Sequence, residues 1–137
     1  GRFIIGNAGI LITKIIYIKK SSNKYFVILD AGMNNLMRPA LYNAHHQIIP
    51  VKKTNKLFRG KLEFVGPVCE SSDKFSTQKI FSQIKEGDYL GLADVGAYGM
   101  SLSSNYNTRP TIAEIMVSGS KHKIIRKRQS LENLVNN

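Results

Sequence analysis

The sequence predicts an all-β domain, a β-sandwich or open Greek-key barrel with one or two short helices. Three observations carry that prediction. Runs rich in β-branched and aromatic residues recur at short intervals, clusters of Ser, Asn and Gly punctuate them, and no stretch sustains helical periodicity.

Ile10 to Ile18 and Tyr25 to Leu29 are the first two strand candidates, and the polar Ser21-Ser22-Asn23 between them reads as a hairpin turn. Leu62 to Val65, Tyr89 to Ala93, Ile112 to Val117 and Lys123 to Arg128 follow, the last two joined tightly through Ser118-Gly119-Ser120. Helical signals are brief: a turn or two around Pro39 within Asn35 to Ala44, and a terminal helix through Val135 capped by Ser130. Lys52 to Asn55 reads as a loop inside the domain, and Asn136 and Asn137 as a frayed end.

With 137 residues and 42% hydrophobic content, the chain suffices for one domain with a core and falls short of a barrel plus a second domain. No apolar run approaches the roughly 20 residues of a membrane-spanning helix, so no membrane partner is expected. The segment Gly1 to Ile18 lacks the regions of a signal peptide, and a soluble chain is expected. A single cysteine excludes an internal disulfide and is compatible with a reducing cytoplasm.

The formal net charge of +11, from 20 Lys and Arg against 9 Asp and Glu, creates a field that attracts polyanions. Basic clusters occur at Lys52, Lys53 and Lys56 and at Lys121, Lys123, Arg126, Lys127 and Arg128, but no nucleic-acid-binding motif accompanies them. Charge runs are usually solvated faces, so nucleic acid is not the expected partner.

The octet Gly66-Pro67-Val68-Cys69-Glu70-Ser71-Ser72-Asp73 presents the only cysteine beside a carboxylate, directly after an apolar run. A lone cysteine is ordinarily a small buried hydrophobe. Here Gly66 and Pro67 break the strand and four polar residues follow Cys69, which places the thiol at an exposed strand end where it can donate a proton.

The octet resembles the cysteine motif of the pyridoxal-phosphate-dependent amino-acid decarboxylases built from a barrel plus a β domain, and further blocks agree in order. Gly1-Arg2 is similar to the end of a Glu-Pro-Gly-Arg motif; Asp30-Ala31-Gly32-Met33-Asn34 with Arg38-Pro39-Ala40-Leu41-Tyr42 forms a second block; Asp94-Val95-Gly96-Ala97-Tyr98-Gly99 a third. Ser103-Ser104-Asn105-Tyr106-Asn107 with Arg109-Pro110 completes the set. Cys-Glu-Ser and Arg-Pro-Ala-Leu-Tyr place the resemblance nearest the diaminopimelate branch. It spans this whole chain but only part of such an enzyme. The chain opens on Gly1, without an initiator Met or the preceding Glu-Pro, so residues 1–137 are expected to be a C-terminal β domain or processed fragment. The N-terminal barrel, with the cofactor-binding lysine and the phosphate loop, would lie before it, and the isolated fragment is expected to be inactive.

The resemblance implies roles residue by residue. Arg2, Arg38 and Tyr42 would bind the substrate's distal carboxylate, for which two guanidinium forks and a phenol are suited donors. Glu70 would pair with the ammonium on the distal stereocentre. Tyr98, among small residues that permit close backbone approach, would contact both pyridoxal 5'-phosphate and substrate. Cys69 would be the general acid that protonates the carbanion left by decarboxylation, in a homodimer whose cysteine motif from one subunit meets the cofactor of the other. The implied reaction is meso-2,6-diaminopimelate to L-lysine plus carbon dioxide, in the cytoplasm.

Other residues read more plainly. Asp73 orders the turn or reaches across the dimer interface; Val95 stands where the family often has Ala; Ser103 to Asn107 supports the site mouth without an assigned catalytic role. The adjacent His45 and His46 have no ligand partner at a metal-binding spacing, so no metal is expected. Met33, Met37, Met100 and Met116 read as core or interface filler. A related decarboxylase of a basic amino acid or carboxylated polyamine is the first alternative, and a basic nucleic-acid-binding or structural module the second.

Overall fold

Alternation decides the first strand: in β1 (Leu11–Lys20), Leu11, Thr13 and Ile15 are buried while Ile12, Lys14 and Ile16 face outward. The computed structural model describes residues 1–136, so the expectation for Asn137 lies outside the described residues. The order of elements is α1 (Arg2–Ile5), a 3-10 turn (Gly6–Ala8), β1, β2 (Tyr25–Leu29), α2 (Arg38–Tyr42), β3 (Ile48–Pro50), β4 (Leu57–Val65), β5 (Lys74–Ser82) and β6 (Tyr89–Leu92). Two 3-10 turns (Met100–Leu102, Tyr106–Thr108), β7 (Glu114–Ser118), β8 (Lys121–Arg126) and α3 (Leu131–Val135) complete it.

β1 to β6 form one six-stranded sheet in the order β3-β6-β1-β2-β4-β5, with β2 and β4 parallel and the other neighbours antiparallel. The chain therefore crosses from β2 to the far edge to make β3 and returns to make β4. All six strands send side chains into a single cluster: Ile15, Leu29, Ile48, Phe64, Phe81 and Leu92 represent them in turn. One sheet can share one core among all its strands only by curling on itself. The edge strands β3 and β5 accordingly face each other across a cleft that also contains Pro39 and Ala40 of α2. Of the two architectures expected, the open barrel is the one adopted.

The Ser21–Lys24 turn closes β1 and β2 through a bond from the Ser21 N–H to the Lys24 carbonyl (2.8 Å). β7 and β8 pair as a separate ribbon turning at Gly119, whose φ of +59° suits glycine. Every residue of the ribbon but Glu114 is exposed, Met116 included, so that methionine is not core filler. The Ser130 hydroxyl accepts the Asn133 N–H (3.1 Å) and caps α3 as expected.

Four elements depart from the sequence expectation. β3 and β5 were not anticipated, and β4 begins five residues before Leu62. β3 is only three residues long, and β5 mixes Ser, Thr, Gln and Lys into a strand that buries only Phe75 and Phe81. α1 is four residues with none buried, too short to carry a helical pattern. Among the described residues no helix is long and apolar enough to cross a membrane.

Candidate functional site

β4 stops at Gly66-Pro67, and the chain turns back to β5 within eight residues closed by main-chain bonds. The Gly66 N–H donates to the Asp73 carbonyl (3.0 Å), the Glu70 N–H to Val68 (2.8 Å) and the Asp73 N–H to Glu70 (3.0 Å). Val68 and Asp73 are buried beneath the turn, while Cys69 and Glu70 stand exposed on it. The exposed thiol at a strand end is the arrangement expected from the octet.

Asp73 is 3% exposed, and its two oxygens are used within the chain. One accepts the Met33 N–H (2.7 Å) and the other the Val68 N–H (2.7 Å). Burial raises this carboxyl above its ordinary pKa, against the opposing pull of the two N–H bonds and of Arg109. Asp73 thus orders the turn, the first of the two roles the sequence left open.

Met33 lies on the arm Asp30 to Asn35, which is itself pinned. The Asp30 carboxylate accepts from the Thr13 hydroxyl (2.6 Å) and the Lys14 N–H (2.8 Å), and the Asn35 side chain accepts the Gly32 N–H (3.1 Å). A Cβ on Gly32 would lie 3.0 Å from both Asn34 Oδ1 and Val68 Cγ2, so arm and turn pack without slack. The arm runs into α2, whose first residue is Arg38, half-buried, and whose last is Tyr42, exposed. Pro39 suits the first turn, and Asn43 in the left-handed region ends the helix (φ 52°).

A third segment joins the same junction. The Ser104 N–H donates to the Asn34 carbonyl (2.9 Å), and Arg109 donates through Nη2 to the Asp30 carbonyl (2.6 Å). Between them, the Tyr106 phenol donates a hydrogen bond to Glu70. That bond raises the Tyr106 pKa above its ordinary value. Tyr106 and Arg109 were legible only as motif members; their partners lie 36 and 79 residues away.

Arg2 and Tyr98 sit at a second junction. The Gly96 N–H donates to Gly6 (2.9 Å) and the Val95 N–H to Gly9 (3.1 Å), laying the segment after α1 against Asp94 to Gly99. A Cβ on Gly96 would collide with the Ile5 carbonyl, and one on Gly9 would lie 2.5 Å from Gly96 N. The space that the sequence assigned to a close-lying ligand is, at Gly96, occupied by the chain's own backbone. Tyr98 keeps a half-exposed phenol on a left-handed residue (φ 61°). Its exposure and hydroxyl donor are compatible with a phosphate-bearing cofactor. No hydrogen bond or ion pair among the described residues links Arg2, Arg38, Tyr42 or Tyr98 to Cys69 or Glu70. The expected site residues therefore occur as separate donors rather than as one bonded cluster.

His46 is 2% exposed with Nδ1 2.9 Å from the Ala93 carbonyl, a core histidine, whereas His45 is exposed. Among the described residues no group of three or more His, Cys, Asp or Glu is placed to hold a metal.

Residues 3–96 match the family described as pyridoxal-dependent decarboxylase, C-terminal sheet domain. The chain is 47% identical over 135 residues to diaminopimelate decarboxylase of Zymomonas mobilis, covering 98% of the chain and 32% of that protein. It is similar to the crystal structure of diaminopimelate decarboxylase from Helicobacter pylori complexed with L-lysine, at a TM-score of 0.90 and 43% identity over 99% of this chain and 33% of that one. The corresponding M. jannaschii enzyme in co-complex with L-lysine gives a TM-score of 0.93 at 38% identity, over 98% and 31%. The chain spans about a third of the length of the curated relatives it matches.

Proposed function

From its membership of the pyridoxal-dependent decarboxylases, to whose C-terminal sheet domain the chain belongs, we propose that residues 1–137 are the β domain of a diaminopimelate decarboxylase. The complete enzyme would convert meso-2,6-diaminopimelate to L-lysine and carbon dioxide in the cytoplasm, as a homodimer with an N-terminal barrel that carries the cofactor lysine. The observation that carries this reading is the turn that exposes Cys69 and Glu70 side by side, tied through Asp73 to the arm leading to Arg38.

Pyridoxal 5'-phosphate, bound in the complete enzyme, supplies the electron sink for decarboxylation. This chain supplies donors and charges around it. Tyr98 would hold the cofactor and meet the substrate. Arg38, with Arg2 and Tyr42, would grip the distal carboxylate, a planar anion that a guanidinium fork matches with two parallel bonds. Glu70 would hold the distal ammonium. A substrate with an amino-acid head at each end satisfies both charges; a diamine precursor without a distal carboxylate leaves the arginines unpaired, which disfavours decarboxylases of simpler basic amino acids or polyamines. Cys69 would deliver its Sγ proton to the carbon that has lost carbon dioxide.

The decisive experiment is a substrate panel on the full-length protein. Diaminopimelate is expected to be turned over at least tenfold more efficiently, by kcat/KM, than lysine, ornithine, arginine or a carboxylated polyamine. A preference for any of those would transfer the domain to a sister activity. Residues 1–137 alone should neither decarboxylate nor retain cofactor after borohydride reduction.

A further inference from the structure

Asp73 is a buried carboxylate with no part in binding substrate or cofactor as proposed above. Every polar atom of this residue is engaged, either within the Cys69 turn or between the turn and the arm. Its carbonyl and N–H close the turn at Gly66 and Glu70, each at 3.0 Å. Its carboxylate bonds the N–H before Cys69, on Val68, and the N–H of Met33 on the arm, both at 2.7 Å. The arrangement needs Gly66, because a Cβ there would collide with the Asp73 carboxylate.

We propose that Asp73 is a positioning residue for the decarboxylation: by joining the turn to the arm through one carboxylate, it fixes Cys69 and Glu70 relative to Arg38. This inference rests on the proposed decarboxylase activity. Cys69 and Glu70 are exposed, and the Tyr106 phenol that reaches Glu70 does not touch the arm that carries Arg38 through any hydrogen bond of its own side chain. The arm that carries Arg38 departs 40 residues earlier in sequence, and the Met33 bond crosses that gap. With both oxygens engaged, the proposed proton donor, the ammonium site and the Arg38 end of the carboxylate grip share one frame, to which the packing of Gly32 on Val68 adds. A displacement of about 1 Å in such a frame can cost on the order of 100-fold in rate.

Asp73→Asn in the full-length protein tests this, because the amide keeps one acceptor oxygen and turns a donor toward the other N–H, releasing one tether with little change in volume. The control is Glu63→Gln, which alters a buried carboxylate of the neighbouring strand outside the site. Measured per cofactor-loaded site, Asp73→Asn is expected to lower kcat for diaminopimelate at least tenfold, raise KM, and enlarge the solvent deuterium isotope effect on kcat as proton delivery becomes limiting. Glu63→Gln should lower the melting temperature and leave all three within twofold of wild type. Values for Asp73→Asn within twofold of wild type, or reduced only in proportion to the folded fraction, overturn the proposal.

Amide exchange on the wild-type protein gives a second arm that needs neither turnover nor a foldable variant. The Val68 and Met33 N–H groups should exchange far more slowly than those of Ser71 and Ser72, and equal rates overturn the tether. A wild-type enzyme that ignores diaminopimelate but shows this protection would sink the substrate reading alone.

Discussion

The Tyr106 phenol donates to the Glu70 carboxylate across 36 residues of sequence, so the side chain proposed to bind the distal ammonium is already oriented by a neutral donor. The bond shares the carboxylate without cancelling its charge, which leaves Glu70 able to take a cationic partner. Tyr106→Phe in the full-length protein is expected to raise KM for diaminopimelate roughly 3- to 10-fold, with kcat changed less, since one hydrogen bond to a charged group is lost. The sign of the pH effect follows from the raised tyrosine pKa. The bond is intact below the ordinary tyrosine range and disappears as pH rises through the raised folded value. A phenolate titration followed by ultraviolet absorbance should lose one phase that lies above the ordinary tyrosine range in Tyr106→Phe. An unchanged titration would remove the bond from the account.

How much of this was legible beforehand depended on whether the determining contacts were local. β1 announces itself because Ile10 to Ile18 is dense in β-branched and aromatic residues, a composition contained in the strand, whereas which of them are buried is not written there: Ile12 and Ile16 are exposed and Thr13 is buried. β5 does not: its buried Phe75 and Phe81 are separated by exposed Thr77 and Lys79, and its place depends on pairing with β4. At the site, Gly66-Pro67 and the polar run after Cys69 fix the exposure of the thiol locally. The sequence offered Asp73 as a residue that orders the turn, but its tether to the arm at Met33 left no trace there, since the partners are backbone N–H groups that every residue but proline carries. The role of Gly96 was half legible. A glycine implies a close approach, but nothing in the sequence says that the approaching group is Ile5 rather than a ligand.

Glu63 gathers Lys24 (2.9 Å), Lys61 (3.2 Å) and Lys74 (3.8 Å) around a 7% exposed residue. The Lys24 hydrogen bond, with help from the other two cations, holds this carboxyl below its ordinary pKa despite desolvation. A depressed carboxyl contributes stability above its unfolded pKa and loses it as pH falls through the folded value. Glu63→Gln is therefore expected to melt below wild type at pH 7, with the gap narrowing as pH is lowered below about 4. A gap that widens on acidification would reverse the assignment.

Gly96→Ala probes the junction that carries Arg2 and Tyr98. The added methyl meets the Ile5 carbonyl, so the segment after α1 must move away and the Gly96–Gly6 bond must break. Overpacking of this kind costs about 1–3 kcal/mol. The loss should be accompanied by faster amide exchange at Val95 and Gly96 and by weaker cofactor retention in the full-length protein, through Tyr98. Destabilisation with cofactor affinity unchanged would confine Gly96 to folding and detach Tyr98 from the cofactor.

Cys69→Ala deletes the proposed proton donor at an exposed position, so little packing is lost and stability should change modestly. General acid catalysis contributes about 100- to 10,000-fold, which sets the expected fall in kcat while cofactor and substrate still bind. Because the turn that bears Cys69 is exposed here, the proposed dimer can present it to a site whose cofactor lysine belongs to the other subunit. Mixing Cys69→Ala subunits with subunits lacking that lysine then creates hybrids in which one of two sites holds both intact groups. Such mixed dimers should recover activity that neither parent homodimer possesses. Verified hybrids with no recovery would reject a shared site and leave the acid role standing, whereas wild-type turnover in Cys69→Ala would reject the acid role and leave Glu70 as the reason for the turn's exposure.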